Sequence, residues 1–85
     1  MVSMEYGERL EAAVATQIKV ELIEAGMDQK ALADAIGIER ATLSRYMTNK
    51  RAMPMATFCK VAEALGLTPV VLMQRADARI QREGQ

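Results

Sequence analysis

Apolar residues return every three or four positions along most of the chain, and the interruptions fall at glycine, asparagine and proline. Leu10, Val14, Ile18 and Leu22 repeat at helical spacing with Ala13 and Ala25 alongside. The stretch opened by Gly7 and closed by Gly26 therefore predicts about five turns of amphipathic helix, with Gly26 as the left-handed residue past its end. Asp28 suits the N-cap of a short second helix, Gln29 to Ile36, in which Leu32 and Ile36 sit one turn apart with Ala31, Ala33 and Ala35 packed around them. Gly37 ends it. From Glu39 to Thr48, Leu43, Tyr46 and Met47 fall at i, i+3 and i+4 and predict the inward stripe of a third helix. Arg40, Ala41, Ser44 and Arg45 are left on its opposite side. Asn49 suits a left-handed helix end, and Met53-Pro54 breaks the chain before a fourth helix, Pro54 to Leu65, with Met55, Phe58, Val61, Ala62 and Leu65 as its core face. Thr68-Pro69 reads as an N-cap followed by proline in the first turn, so a fifth helix runs from Pro69 to about Arg79 with Val70, Val71, Leu72, Met73 and Ile80 as its apolar residues. No segment alternates with period two. The pattern predicts an all-α bundle of five helices with short loops and no internal repeat.

Length then limits the answer. Eighty-five residues and 9.4 kDa make one domain, residues 1–85, and leave no room for a second core. Chains of this size bury only about 60 to 65% of their unfolded surface, so a marginal monomer or a dimer is expected. An apolar content of 51% beside 26% charge belongs to a folded chain and excludes intrinsic disorder. Histidine is absent and Cys59 is the single cysteine, which excludes a Cys/His zinc site and a disulfide within the chain. Cys59, beside Phe58, reads as a packing residue, and Met53, Met55 and Met73 read as gap-fillers. Glu21 and Glu24, at i and i+3, read as a solvated face and not as a catalytic carboxylate pair. With no general base of the usual kind, no nucleophile pair and no phosphate-binding loop, neither an enzyme nor a cofactor nor a metal is expected. The stretch Met1 to Glu8 carries an early acid and no basic segment ahead of an apolar run, so no secretory leader is expected. The Leu65 to Met73 segment is interrupted by Gly66, Thr68 and Pro69, so no membrane span is expected and the cytoplasm is the predicted location.

Eleven basic and eleven acidic residues cancel, but they are not evenly spread. Residues 1–26 carry a net charge of −3, whereas residues 40–51 hold Arg40, Arg45, Lys50 and Arg51 without an acid, a net +4. One short segment is locally basic inside a neutral chain.

That segment also carries a motif. Asp28-Gln29 at the start of the second helix, Leu32-Ala33 within it, Gly37 at the turn, and Asn49-Lys50 after the third helix resemble the helix-turn-helix of the phage repressor and Cro family, also called the XRE family of bacterial regulators. The motif spans residues 28–49, and the resemblance, extended by Val61-Ala-Glu-Ala-Leu-Gly-Leu-Thr-Pro69, covers roughly residues 10–75. It implies a lambda-repressor-like bundle in which Ala33 is small where two helices cross and Gly37 supplies a positive φ. It also implies double-stranded DNA as the partner, with the third helix entering a major groove about 12 Å wide. By position it implies base contacts from Arg40, Ala41, Ser44 and Arg45, and backbone contacts from Gln29 and Thr42. Thr48, Lys50 and Arg51 cluster at the helix end as candidate phosphate contacts. Arginine reads guanine O6 and N7 with two hydrogen bonds, so two of them predict a G·C-containing half-site, and Ala41 suits a thymine methyl. Three positions depart from the family pattern. Met47 and Asn49 stand where many members have Glu and Gly, which points to packing of Met47 in place of the usual helix-end pairing. Glu39 at the start of the recognition helix is repelled by phosphate, yet can accept from cytosine N4 or favour the helix N-terminus.

Each of these residues also has a plainer reading. Gln29 serves equally as support for the N-terminus of its own helix, and Lys50 and Arg51 as ordinary surface charge. The run Val70 to Met73 exceeds one helix face. Val70, Val71 and Met73 are thus either a dimer seam or the closure of the core against the first helix. A two-fold dimer places its recognition helices roughly 34 Å apart on a palindromic site. The expected function is a homodimeric, sequence-specific repressor of bacterial or phage origin that blocks its operator, regulated by its own concentration or by a protein partner such as an anti-repressor. Two rivals share the fold: an antitoxin that binds a toxin as well as its operator, and an interaction bundle without DNA binding.

Overall fold

The computed structural model describes residues 3–83 and the side chains of residues 5–83. The outermost residues of the expected 1–85 domain, and the first part of the Met1 to Glu8 stretch weighed as a leader, lie outside the described residues. Among those described there are five α-helices and no strand: α1 (Ser3–Ala25), α2 (Gln29–Ile36), α3 (Arg40–Met47), α4 (Met55–Ala64) and α5 (Pro69–Glu83). The all-α expectation and the order of the helices hold. No single helix is long and apolar enough to cross a membrane.

The core forms where the five apolar stripes meet. Ile18, Leu32, Leu43, Met47, Val61 and Leu72 are sealed from solvent, with Ala33, Ala62 and Ala76 where helices approach closely. Helices α1 and α5 lie alongside each other over much of their length, α2 packs on α3 and α4, and α4 turns into α5 through an angle of 98°. Helix ends are closed locally. The Asp28 carboxylate accepts from the Ala31 N–H at 2.8 Å, and the Thr68 hydroxyl accepts from the Val71 N–H at 3.1 Å, each satisfying a donor that the helix leaves open. Gly26, with φ of 67°, and Gly37, with φ of 76°, take the left-handed conformation past α1 and α2. The Met27 N–H then reaches the Leu22 carbonyl at 2.9 Å, and the Ile38 N–H reaches the Ala33 carbonyl at 3.0 Å.

Four details differ from the sequence reading. Gly7 does not open α1 but lies inside it, because Tyr6 donates to the Asp77 carboxylate at 2.5 Å and Arg9 pairs with Glu83 at 3.8 Å, extending α1 beside a longer α5. Helix α5 correspondingly continues past Arg79 to Glu83. Met55 is 66% exposed, since no element among the described residues covers the first turn of α4; Ala25, Ala31 and Ala35 are exposed as well. The fourth difference concerns Glu21. Glu24 is exposed as expected, but Glu21 is buried: its carboxylate accepts from Arg75 Nη1 at 2.6 Å and from Gln17 Nε2 at 2.8 Å. Arg79 Nε donates to Gln17 Oε1 at 2.6 Å, so four polar side chains bridge α1 and α5.

Candidate nucleic-acid interface

The candidate recognition face is built by exclusion. In α3 the side chains of Leu43, Tyr46 and Met47 are buried, and a helix that commits one stripe to the core must turn the opposite stripe outward. Arg40, Ala41, Ser44 and Arg45 are all exposed on that outward side. Neither Arg40 nor Arg45 is held in an ion pair among the described residues, so both guanidinium groups are available to an external acceptor. Thr42 is half-buried at the edge of the face. Gln29 occupies the first turn of α2 and is also half-buried.

The end of α3 is tightly closed. Asn49 has φ of 60°, the single non-glycine residue with positive φ among the described residues. This turn lets the Lys50 and Arg51 N–H groups both donate to the Arg45 carbonyl, at 2.9 and 3.3 Å. The Thr48 hydroxyl donates to the Ser44 carbonyl at 2.9 Å. Thr48, Lys50 and Arg51 are thus exposed and gathered at one helix end, as the sequence implied. The Arg51 guanidinium also lies 6.0 Å from the centroid of the Tyr46 ring, at the outer range of a cation–π contact, so its side chain leans over the third helix. At the other end, Glu39 is the N-cap residue of α3 but makes no capping hydrogen bond, which leaves its carboxylate exposed beside Arg40.

The angle between α2 and α3 depends on Ala33 and Gly37. Ala33 is 1% exposed, which leaves no room for a larger side chain, and Gly37 holds the conformation that lets the chain turn within three residues. A helix-turn-helix family model matches residues 18–72, which takes in α2, α3 and α4, the end of α1 with Ile18 and Leu22, and the first turn of α5. The chain belongs to the helix-turn-helix family. Within it the type is that of the XRE regulators, DNA-binding proteins that control transcription. The fold of the clp gene regulator ClgR from Corynebacterium glutamicum is similar, with a TM-score of 0.82 over 88% of this chain and 80% of that one, at 17% sequence identity. That likeness shows a shared lambda-repressor-like architecture. No curated protein sequence matches the chain significantly.

Placed in a helix-turn-helix, the departures acquire a structural reading. Met47 is 1% exposed, so the position where many members carry Glu is used here for packing. Asn49 performs the left-handed turn that Gly performs elsewhere, which asparagine tolerates better than other side-chain-bearing residues. The residues proposed from sequence as a dimer seam are split: Val70 is 63% exposed, Val71 and Met73 are half-buried, and Leu72 between them is sealed in the core. The sequence reading missed the Gln17–Glu21–Arg75–Arg79 bridge. Its signal was present, since Gln17 and Glu21 are four apart beside the Val14, Ile18, Leu22 stripe, and Arg75 and Arg79 are four apart beside Leu72, Ala76 and Ile80.

Proposed function

We propose that this helix-turn-helix protein is a sequence-specific repressor that binds a palindromic operator as a homodimer in the bacterial cytoplasm and blocks transcription by occupying the site. The observation that carries the reading is the outward stripe of α3, where Arg40, Ala41, Ser44 and Arg45 stand exposed while Leu43, Tyr46 and Met47 anchor the same helix from behind. A helix with two uncommitted arginines about one and a half turns apart is suited to guanine in a major groove. Thr48, Lys50 and Arg51 at one end, with Gln29 and Thr42 near the other, are suited to hold the flanking phosphates and fix the register. The net charge of zero makes base contacts weigh more against nonspecific phosphate attraction than in a strongly basic domain. In this reading the chain's own concentration, or a protein partner such as an anti-repressor or toxin, sets the occupancy.

Selection of bound duplexes from a random library, followed by anisotropy titration of the winning and a scrambled site at two salt concentrations, tests the proposal. A palindromic winner with G·C pairs in each half-site, bound more weakly as salt rises, is the expected result. Arg45→Ala is expected to lose about 1–3 kcal/mol of discrimination at one base pair of each half-site while thermal stability stays within about 0.5 kcal/mol. Unchanged site preference in that variant removes Arg45 from the reading set, and no enrichment at low salt removes the operator itself.

A further inference from the structure

A depression of about 200 Å³ opens between the first half of α1, the end of α3 and the start of α4. Leu10, Val14, Met53, Phe58 and Met73 give it an apolar lining, and Glu11, Tyr46, Asn49 and Arg51 are its polar members. Its α1 wall, from Gly7 to Ala15, precedes the helix-turn-helix segment 18–72, and Met73 follows that segment. The depression therefore arises from the way this chain extends the motif and not from the motif itself.

We infer that the depression binds a small zwitterion with an apolar body, namely an apolar α-amino acid, and that the bound ligand weakens the hold of α3 on DNA. The binding stands on the depression alone, whereas the effect on DNA rests on the operator reading above. Tyr46 supplies the first observation. It is 7% exposed, and its hydroxyl makes no hydrogen bond among the described residues. Every buried side-chain nitrogen or oxygen among those residues has a partner, so this hydroxyl still reaches open space, and the open space that Tyr46 lines is the depression. The second observation is charge. Glu11 and Arg51 are exposed, and neither is held in an ion pair among the described residues. The Arg51 guanidinium lies 6.0 Å from the centroid of the Tyr46 ring, so it, the phenol and the Asn49 amide offer donors to a carboxylate. The Glu11 carboxylate can only accept, and suits an ammonium. A ligand with a single charge meets a like charge somewhere on this lining, whereas a zwitterion answers both. Size is the third. The volume falls below the roughly 300–1,000 Å³ of sites for drug-sized ligands and suits a molecule no larger than one amino acid. Met53, Met55 and Met73 give that molecule's side chain a pliable, polarisable wall. Finally, Gly7 lies mid-helix on the wall, although glycine is a poor helix former. A Cβ there would meet nothing within 4 Å, so packing inside the chain does not call for glycine, and what the missing side chain leaves clear is the depression.

The same residues tie the site to α3. Tyr46 anchors the inner face of that helix, Asn49 makes its left-handed end, and Arg51 is one of the phosphate contacts proposed above. A guanidinium drawn to a ligand carboxylate is withdrawn from phosphate. Ligand and DNA therefore oppose each other, and by linkage each lowers the affinity of the other by the same factor.

Isothermal titration calorimetry on the full chain without DNA tests the site, with L-leucine, L-methionine and L-phenylalanine as probes. At least one is expected to bind, and Tyr46→Phe and Glu11→Gln are each expected to weaken it about fivefold or more. Circular dichroism is expected to show both variants folded, since the first keeps the buried ring and the second changes an exposed side chain. The decarboxylated and the deaminated analogues of the bound amino acid are each expected to bind on the order of tenfold more weakly. On the selected operator, a saturating amino acid is expected to lower affinity on the order of fivefold or more, and to flatten its salt dependence by about one phosphate contact per subunit. Tyr46→Phe is expected to hold the operator as the wild type does and to lose that response. No heat from any probe up to about 10 mM, or binding that neither variant changes, overturns the site and leaves the operator reading in place. An analogue of single charge that binds as tightly as the amino acid overturns the zwitterion, and binding that leaves operator affinity unchanged overturns the coupling. Conversely, amino-acid binding that both variants weaken, in a chain that selects no DNA sequence, upholds the site and refutes the operator.

Discussion

The α2–α3 unit and the α1–α5 pair solve the problem of holding two helices together in different ways. The two helices of the recognition unit have eight residues each, too short to persist alone, and they are fixed by buried apolar side chains on one face and by caps at their ends. Of its polar side chains, Asp28 and Thr48 are spent on local caps and Lys30 pairs with Asp34 in its own helix, while those on the outer face of α3 stay free. The α1–α5 pair is built from helices of 23 and 15 residues and adds polar bridges along its length: Tyr6 to Asp77, Arg75 to Glu21, and Arg79 to Gln17. Polar groups consumed in folding are unavailable for binding. The region proposed to touch DNA is therefore the one whose stability has been left to apolar packing and end caps.

The largest effect that tests this contrast is expected for Leu43→Ala. Leu43 is fully buried on the inner face of α3, and truncating such a side chain removes about 2–5 kcal/mol from folding. In chemical denaturation the variant is expected to lose that much, with operator binding declining only in proportion to the unfolded fraction. A loss of binding at full stability would mean that the inner stripe aims the helix without holding it. In the other region, Arg75→Met leaves the Glu21 carboxylate buried with Gln17 as its remaining partner. The expected cost is about 1–3 kcal/mol, smaller than for Leu43 because water reaches the Arg75 side of the pair, which is 46% exposed. A change below about 0.5 kcal/mol would reduce the bridge to surface decoration. Asp28→Ala removes the side-chain acceptor for the Ala31 N–H and is expected to cost about 1 kcal/mol, visible as a lower thermal midpoint.

The same contrast explains what could be read in advance. The bounds of α2 follow from Asp28 and Gly37, because a cap and a left-handed turn act on their immediate neighbours and leave their mark in the linear order of residues. The free face of α3 follows from the spacing of Leu43, Tyr46 and Met47 alone, and the resemblance to the XRE family added the expectation that this face meets DNA. What escaped is held by partners distant in sequence. Gly7 looks like a helix opener until Tyr6 meets Asp77, 71 positions on, and Glu21 looks solvated until Arg75 arrives from 54 positions away. Met55 has the correct spacing from Phe58 and Ala62 for a core residue, yet periodicity gives the face of a helix and not the extent of what covers it.

The smallest expected effect is one of pH, and it separates the two regions by their chemistry. Burial by itself raises the Glu21 carboxyl, but the hydrogen bonds from Arg75 and Gln17 and the charge of Arg75 outweigh it, so the group is held below its ordinary value of 4.5. A carboxyl depressed in the folded state binds protons more weakly there than in the unfolded chain. It therefore contributes stability above its unfolded value, and that contribution is lost as pH falls through the depressed folded value. Glu21→Gln is expected to be less stable than the wild type near neutral pH, by about 1 kcal/mol or less given the exposure of Arg75, and the gap is expected to close as pH falls below the ordinary carboxylate range. Thermal melts of the two proteins across that range check it. A gap that stays constant with pH would show that Gln17 and the packing around it, and not the charge of Glu21, join α1 to α5. The recognition unit would then stand apart from the long-helix pair only in lacking an exposed ion pair such as Arg9–Glu83 between its helices.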